Sequence, residues 1–197
     1  MRHAEPPPGY GLDVKQPLSG SKKWQTKQKE ARQIVIKKPQ IRDVKEILGL
    51  INEYAASGVM LPRGPQYLYE NIKDFVIAVD MNISVNAILE SKELMHLVVG
   101  CGSLHVLWED VAEVRSLAIN HDYQHMKIGR KIIEFMESEA KQIGIRRLYT
   151  FTNSEGFFKS LGFVQQKKED LPAKVWGECS RCPKFYKCDE IGMMLRL

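Results

Sequence analysis

The pattern of apolar positions along the chain alternates between short β-branched runs and stretches with helical spacing. Ile34–Ile36 predicts a first strand, and apolar residues recurring every three or four positions over 41–55 predict an amphipathic helix. A second helix is predicted over 65–73. The longest helical stretch covers 128–143 and ends beside Gly144, which suits a helix C-terminus.

The other apolar runs predict strands, and with the helices they define a fold class. Gly100 and Gly102 indicate a kink in one strand, while Asn153 and Ser154 can cap a short helix that ends before Gly162. The segment 80–93 fits either a loop or an irregular strand. The predicted strands are 75–79, 97–107, 111–119, 148–152 and 192–197. This order predicts an α/β fold with a mixed central sheet covered by helices.

Residues 1–33 differ in composition from the rest of the chain. Prolines, glycines, serines and scattered lysines leave few apolar residues there, which predicts a flexible extension without a core. The extension carries seven basic and three acidic side chains, so it holds +4 of the chain's net charge of +5. We expect this basic tail to precede one nearly neutral domain, 34–197. A solvated arm is the more common role of such a tail, so nucleic acid is not the expected partner.

The chain has no apolar stretch long enough to cross a membrane, and its N-terminus lacks the apolar segment of a secretory signal. We therefore expect a cytoplasmic protein with reduced cysteines. Cys179, Cys182 and Cys188 cluster within an excursion over 172–190. Because structural zinc sites usually need four ligands, packed or free thiols are favoured, and a zinc site stays open as the alternative.

A strand that leads through a turn into a helix carries the most specific pattern. Residues 112–119 read Ala-Glu-Val-Arg-Ser-Leu-Ala-Ile, and residues 124–130 read Gln-His-Met-Lys-Ile-Gly-Arg. The first N–H groups of a helix lack intrahelical partners and bind phosphate, and Gly129 would let a ligand approach the backbone. A tight strand-to-helix turn also favours glycine, so these residues alone leave both interpretations open.

This stretch resembles motif A of the GNAT acetyltransferases, whose loop reads Gln/Arg-x-x-Gly-x-Gly/Ala. Gln124 matches the first position and Gly129 the last, whereas Lys127 replaces the usual first glycine. The resemblance implies a GNAT-like mixed sheet whose splayed central strands form the acetyl-CoA cleft. The loop would hold the pyrophosphate, and the strand would pair with the pantetheine arm. The implied cofactor-binding residues are Leu117, Ala118, Ile119, Gln124, His125, Met126, Lys127, Ile128, Gly129, Arg130, Asn153 and Phe158.

Residues 153–163 are similar to the family's second motif, Phe-Tyr-x-x-x-Gly-Phe. Phe158 stands where the family often has a tyrosine that protonates the departing thiolate. The thiol of CoA should titrate near the value of a free cysteine, about 8.5, so its thiolate can leave without that acid. Core packing is the alternative role of Phe157 and Phe158.

The resemblance also suggests catalytic groups on the strand 111–119. Glu113 lies where many GNAT enzymes carry a glutamate base, and the attacking amine must lose a proton. Strand alternation predicts that Glu113, Arg115, Leu117 and Ile119 share one face. The backbone N–H of Leu117 is the expected oxyanion donor. The alternative for Glu113 is a half-exposed strand glutamate paired with Arg115.

Four segments resemble amino-acid N-acetyltransferases, specifically N-acetylglutamate synthases. They are 58–63, 113–118, 157–158 and 176–183. Arginine grips carboxylates with two parallel hydrogen bonds, so Arg63 and Arg115 are candidate acceptor ligands. Surface solvation, or neutralisation of Glu113 by Arg115, is the alternative.

L-glutamate is therefore the leading acceptor, which would place the protein at the first step of arginine biosynthesis. The chain has no room for the kinase-like regulatory domain of the longer synthases, so arginine feedback through that domain is not expected. A homodimer is a prior from the family. One alternative is a GNAT enzyme for another small amine, such as a polyamine. The other is a non-catalytic regulator that binds metal or nucleic acid through the cysteines and the tail.

Overall fold

The computed structural model describes residues 32–81, 97–167, 180, 182 and 185–197, and these form a mixed seven-stranded sheet. The sheet order is β1-β2-β3-β4-β5-β7-β6. Only β4 and β5 run parallel, and every other neighbouring pair is antiparallel. The strands are β1 (Ile34–Lys37), β2 (Phe75–Asp80), β3 (Leu97–Trp108), β4 (Val111–Ile119), β5 (Arg147–Thr152), β6 (Val164–Gln166) and β7 (Ile191–Arg196).

Helices cover both faces of the sheet, as the apolar pattern predicts. The helices are α1 (Val44–Ala56), α2 (Pro65–Glu70), α3 (Ile128–Gln142) and α4 (Glu155–Lys159). Ile47 and Ile51 of α1 and Leu68 of α2 are fully buried against one face. Ile132 and Met136 of α3 are fully buried against the other. Each helix thus buries one apolar stripe, which is the pattern of a surface helix on a sheet.

Most predicted elements lie within a residue or two of the observed ones. The predicted helix over 65–73 is shorter than expected, because it ends in a 3₁₀ turn at Ile72–Asp74. The apolar pattern did not predict the short strand β6. The predicted side-chain cap of α4 is wrong, since the Ser154 backbone N–H instead donates to Thr152 Oγ1 at 2.9 Å.

Several sequence predictions fall on residues that the structure does not describe. These are the tail except for its last two residues, all but the first two residues of 80–93, and most of the excursion over 172–190. Within the described part of the chain, the helices are too short or too polar to span a bilayer.

The two glycines of β3 allow the sheet and α3 to pack closely. A Cβ atom on Gly102 would lie 2.7 Å from Met136 Cε, and one on Gly100 would lie 2.8 Å from Ile119 Cδ1. An irregularity does occur in β3 beside Gly100, because Ala78 pairs with Gly100 and Val79 with Val98, which leaves Val99 as an extra residue.

The parallel strands β4 and β5 pair over only part of their length. Val111–Glu113 pair with Arg147–Tyr149, and the ladder stops there although β4 continues to Ile119. The two strands therefore part at their carboxyl ends, which confirms the splayed central strands predicted from the sequence. This opening creates the cleft of the candidate site.

Candidate active site

A cleft of about 1070 Å³ lies where β4 and β5 part. The segment between α1 and α2, strand β4, the N-terminus of α3, the β5–α4 junction and the chain around Cys188 all border it. Residues singled out in the sequence occur in all five segments, with Cys182 and Cys188 of the zinc alternative in the last. Folding brings nearly all of them together around one opening, at the carboxyl edge of the central strands.

Strand β4 contains a bulge in the wall of this cleft. Ser103 pairs with Arg115 and Cys101 with Ala118, so Ser116 and Leu117 together stand opposite a single residue of β3. Ser116 adopts a left-handed backbone with φ of 52°, a conformation that glycine takes at the first position of one class of bulge.

The bulge reverses the facing of every residue that follows it. Val114 packs on the α3 side before the bulge, and Leu117 and Ile119 pack on that same side after it. Ala118 packs on the α1 side. The prediction that Glu113, Arg115, Leu117 and Ile119 share one face is therefore wrong, because one extra residue shifts the strand's alternation.

Glu113 and Arg115 form a buried ion pair beside the cleft. Arg115 Nε donates to Glu113 Oε2 at 2.6 Å, and Arg115 Nη2 contacts the same oxygen. The two residues are only 6% and 9% exposed. The alternative of a half-exposed glutamate paired with Arg115 is wrong in burial and right in its partner. Since Glu113 also borders the cleft, pairing with Arg115 and a role at the site are compatible.

Arg63, another residue on the border of the cleft, is held by two hydrogen bonds from α1. The Asn52 side chain donates to the Arg63 carbonyl and accepts from its backbone N–H, both at 3.0 Å. The Arg63 guanidinium lies over the Tyr67 ring, 4.2 Å from the centroid. These contacts restrict both the backbone and the side chain of Arg63, which borders the cleft.

The loop before α3 has the shape of an anion site. Lys127 caps α3 with a left-handed backbone at φ 60°, and His125 has φ 62°. Ile128, Gly129 and Arg130 border the cleft, and they belong to the first turn of α3, whose N–H groups lack intrahelical partners. Gly129 is required by packing as well, since a Cβ there would lie 3.1 Å from Phe157 Cζ.

A tyrosine that the sequence interpretation did not single out ties this loop to β4. Tyr54 donates its hydroxyl to the Ile119 carbonyl, and Gln124 Nε2 donates to Tyr54 Oη at 2.9 Å. His121 stacks on the Tyr54 ring. Tyr54 follows Ile47 and Ile51 at helical spacing, so the signal was present in the apolar stripe of α1.

A second tyrosine joins the same loop to the end of β2. Tyr123 donates its hydroxyl to Asp80 Oδ2 at 2.9 Å in a buried contact. Burial, together with this acidic partner, raises the pKa of Tyr123 above its ordinary value. Arg32 lies over the outer face of the Tyr123 ring and donates to the Asp122 carbonyl at 2.8 Å.

Two predicted cofactor residues do not border the cleft. Ala118 lies in the core beside α1, and Met126 is turned outward beside Arg32. Of the candidates in the family's second motif, Asn153 and Phe158 border the cleft, and Phe158 also belongs to the buried core. The other predicted cofactor residues that border the cleft are Leu117, Ile119, Gln124, His125, Lys127, Ile128, Gly129 and Arg130.

Cys182 and Cys188 border the same cleft, beside Asp189 and Glu190. Among the described residues, no group of three or more His, Cys, Asp or Glu side chains is close enough to hold a metal ion. Cys179 lies outside the described residues, so the full cysteine cluster of the zinc alternative stays a prediction.

Comparison with known proteins identifies the family. Residues 50–163 match the model of the acetyltransferase (GNAT) family, which is more than half of the chain. The chain belongs to the GNAT acetyltransferase family. The match includes most of the cleft, namely β4, the loop before α3 and the β5–α4 junction. The interpretation as an acetyltransferase is thereby confirmed, and it is preferred to a non-catalytic regulator.

Relatives of this acetyltransferase include proteins named amino-acid acetyltransferase. An uncharacterized N-acetyltransferase of Chlorobaculum tepidum is 30% identical over 82% of this chain and 96% of its own. An amino-acid acetyltransferase of Mycobacterium tuberculosis is 29% identical over 75% of this chain and 78% of its own. The amino-acid acetyltransferase of Pseudomonas putida is longer, and the match spans only 29% of it.

Solved structures share the fold of the acetyltransferase. A Mycobacterium tuberculosis protein crystallised with CoA and NLQ is 27% identical and has a TM-score of 0.65 over 83% of this chain and 99% of its own. N-acetylglutamate synthase from Neisseria gonorrhoeae, crystallised with CoA and N-acetyl-glutamate, is 21% identical with a TM-score of 0.70. That similarity covers 85% of this chain and 36% of the synthase, and it concerns the fold alone.

Proposed function

We propose that this acetyltransferase transfers the acetyl group of acetyl-CoA to the amino group of an amino acid, with L-glutamate as the leading acceptor. That acceptor would place the enzyme at the first step of arginine biosynthesis. The observation that carries the proposal is the position of Arg63 at a cleft that also contains Glu113 and the anion-binding loop before α3. An arginine would bind the carboxylate of an acidic amino acid, and a glutamate would accept the proton of its amine. The loop before α3 would bind the phosphates of CoA.

The described residues fit acetyl-CoA. The N-terminus of α3, together with Lys127 and Arg130, would hold the pyrophosphate, because helix N-termini and basic side chains both attract phosphate. The edge of β4 at Leu117–Ile119 that has no partner on β5 would pair with the amide groups of the pantetheine arm. The cleft volume of about 1070 Å³ suits a large ligand.

The chemistry would be direct attack of the amine nitrogen on the thioester carbonyl carbon. The C–N bond forms, the negative charge on the carbonyl oxygen is stabilised by the Leu117 N–H, and the C–S bond then breaks. Glu113 would accept the proton that the amine loses, directly or through water. The CoA sulfur leaves as a thiolate, which needs no acid from Phe158.

Among the two predicted acceptor arginines, we favour Arg63 as the carboxylate ligand. Arg115 directs Nε and Nη2 at Glu113, so its fork is engaged in the ion pair. Its role in this proposal is to orient the Glu113 carboxylate. Arg63 also borders the cleft, and an acceptor carboxylate would meet it there.

Thiol release from acetyl-CoA, measured with a chromogenic thiol reagent at about pH 8, tests the proposal across the common amino acids plus spermidine. We expect a signal with L-glutamate well above that with L-glutamine or spermidine. In Arg63→Gln the KM for glutamate should rise by about tenfold or more, with the KM for acetyl-CoA nearly unchanged. A wild-type KM for glutamate in that variant would remove Arg63 from acceptor binding.

A polyamine acceptor is the second candidate. The observation that favours it is the presence of Asp189 and Glu190 on the cleft border, since carboxylates attract cationic amines. The same panel separates the two candidates: turnover with spermidine and none with glutamate would overturn the amino-acid acceptor and keep the acetyl transfer.

A further inference from the structure

The peptide group between Ser116 and Leu117 lies at the β4 bulge, outside the ladders to both neighbouring strands. Neither residue has a register partner on β3, and the ladder to β5 has already ended at Glu113. In a regular ladder the neighbouring strands would fix the orientation of this peptide. Here the orientation must come from other contacts, although it decides where the Leu117 N–H points.

The side chain of Cys101 makes one such contact from β3. Its Sγ donates to the Ser116 carbonyl oxygen at 3.6 Å, a normal length for a bond involving sulfur. The side chain is fully buried in the core on the α1 side. Burial raises the pKa of the Cys101 thiol to about 12, with a smaller opposing effect from the Ala118 N–H. The sulfur therefore keeps its proton at neutral pH and remains a donor.

A neighbouring side chain supports the preceding peptide group in the same way. Ser103 donates its hydroxyl to the Arg115 carbonyl at 3.4 Å. Two successive side chains on one face of β3, Cys101 and Ser103, thus hold the carbonyls of Arg115 and Ser116. These are the carbonyls at the point where the bulge departs from the ladder.

The carbonyl and N–H of a trans peptide point in opposite directions. Holding the Ser116 carbonyl toward β3 therefore turns the Leu117 N–H away from β3, and both Ser116 and Leu117 border the cleft. A hydrogen bond to the carbonyl also polarises the peptide and strengthens its N–H as a donor.

We propose that Cys101 is a positioning residue for acetyl transfer, whose thiol holds the Ser116–Leu117 peptide so that the Leu117 N–H faces the thioester carbonyl oxygen. This inference rests on the proposed function, in which the Leu117 N–H stabilises the oxyanion. Cys101 touches neither substrate and exchanges no proton with them. Its contribution is the orientation and polarity of one backbone donor.

Alanine and serine at position 101 form a matched pair, because they have nearly the same volume and differ by one hydroxyl donor. We expect Cys101→Ala to lower kcat by about tenfold, while the KM for acetyl-CoA changes by less than about twofold. Cys101→Ser should retain most of the wild-type kcat. Equal kcat values for the two variants and the wild type would overturn the proposal.

A spectroscopic measurement tests the same contact without turnover. In protein labelled with ¹⁵N-leucine, Cys101→Ser should shift the Leu117 amide resonance clearly more than that of Leu104, which lies on the same strand as Cys101. A Leu117 resonance that moves no more than the Leu104 resonance would refute the contact, even if the alanine variant does not fold. If no amine supports thiol release by the wild type, the proposed function fails, and the resonance shift then shows only whether Cys101 holds the Ser116–Leu117 peptide.

Discussion

Single residues near the cleft adopt backbone conformations that their side chains disfavour. Within the described chain, Ser116, His125 and Lys127 are the non-glycine residues with positive φ, at 52°, 62° and 60°. Such a conformation costs about 1–2 kcal/mol for a residue with a Cβ atom. All three lie on β4 or on the loop that follows it, so local strain is concentrated where the chain would meet acetyl-CoA.

Lys127 offers a direct test of this strain, because the family usually has glycine at its position. Lys127→Gly should raise the free energy of unfolding by up to about 1 kcal/mol, since the relief of strain exceeds the entropy cost of glycine. Lys127→Ala keeps the Cβ atom and removes the charge, so it should not be stabilised. Urea unfolding of the two variants separates the backbone effect from the charge effect. Equal stabilities would argue that the left-handed conformation costs nothing here.

The Glu113–Arg115 pair allows stability and catalysis to be separated. Glu113→Gln leaves a buried guanidinium without its anion, so the free energy of unfolding should fall by about 3 kcal/mol. The double variant with Arg115→Met should recover most of that loss, yet its turnover should stay as low as in the single variant. Urea unfolding and thiol release measure the two effects. Recovery of turnover along with stability would mean that Glu113 is structural and not the base.

The sequence made many of these residues visible but not their arrangement. The position of Glu113 and Arg115, two apart on a strand, predicted their pairing through simple alternation. The bulge could not be predicted, because Ser116 is an ordinary residue in a strand and the extra register step is imposed by β3. Cys101 was hidden for the same reason, since its partner is a backbone carbonyl and leaves no pattern in the side chains.

At the scale of elements, the contact between α3 and the sheet depends on glycines that make room. Gly102 lies under Met136 and Ile132 of α3 and beside Leu117 of β4. The strong amphipathic stripe of α3 was sufficient to predict the helix, because its burial pattern repeats over four turns. The weak elements were harder: β6 has three residues, two of them exposed, and no periodicity can be read in so short a segment.

Gly102→Ala should destabilise this contact. The new Cβ would meet Ile132 and Leu117 at 3.3 Å in addition to the movable Met136 terminus. We expect the free energy of unfolding to fall by about 1–2 kcal/mol and turnover to fall with it, because Leu117 is displaced. Gly49→Ala on α1 is the control, since its Cβ would meet nothing within 4 Å. That change should raise helix stability by up to about 1 kcal/mol, and thermal unfolding of both variants would reveal an opposite sign.

The turn between β3 and β4 is joined to β5 by an ion pair with a defined pH dependence. Arg147 lowers the pKa of Asp110 below its ordinary value by a hydrogen bond and by its charge. The stabilising effect of the pair is therefore present above the unfolded pKa, about 3.9, and is lost as the pH falls through the folded value. Asp110→Asn should be less stable than the wild type at neutral pH and equally stable in strong acid. Glu109→Gln serves as the control, and a constant difference across the pH range would contradict the assignment.

At the scale of the whole molecule, segments distant in the sequence border one cleft, and the loop before α3 is among them. The N-terminal boundary of the described chain reaches this loop, because Arg32 lies over Tyr123. The fold class was predictable from the order of the elements, and the cleft from the motif that follows β4. What could not be predicted are contacts distant in sequence, such as Tyr54 with Ile119 and Tyr123 with Asp80.

The tail prediction can be tested on the intact enzyme. Deletion of residues 1–31 keeps Arg32 and should leave the melting temperature and the KM for acetyl-CoA unchanged, while weakening binding to a heparin column because positive charge is lost. Arg32→Ala in the full chain is the matched variant, and it should raise the KM for acetyl-CoA by about threefold through a looser Tyr123 loop. A large loss of stability on deletion would show that the tail contributes to the fold.

Because the β4–β5 ladder ends early, the facing edges of these two strands do not pair with each other beyond Glu113 and Tyr149. Backbone groups along such edges are templates for another strand, which is why folded proteins usually shield them. A CoA thioester carries amide groups along its pantetheine arm and can act there as a temporary, non-peptide strand. The tendency to aggregate would then depend on the supply of substrate. Bound acetyl-CoA would cover these strand edges and protect its own enzyme, whereas a shortage of acetyl-CoA would leave the edges exposed.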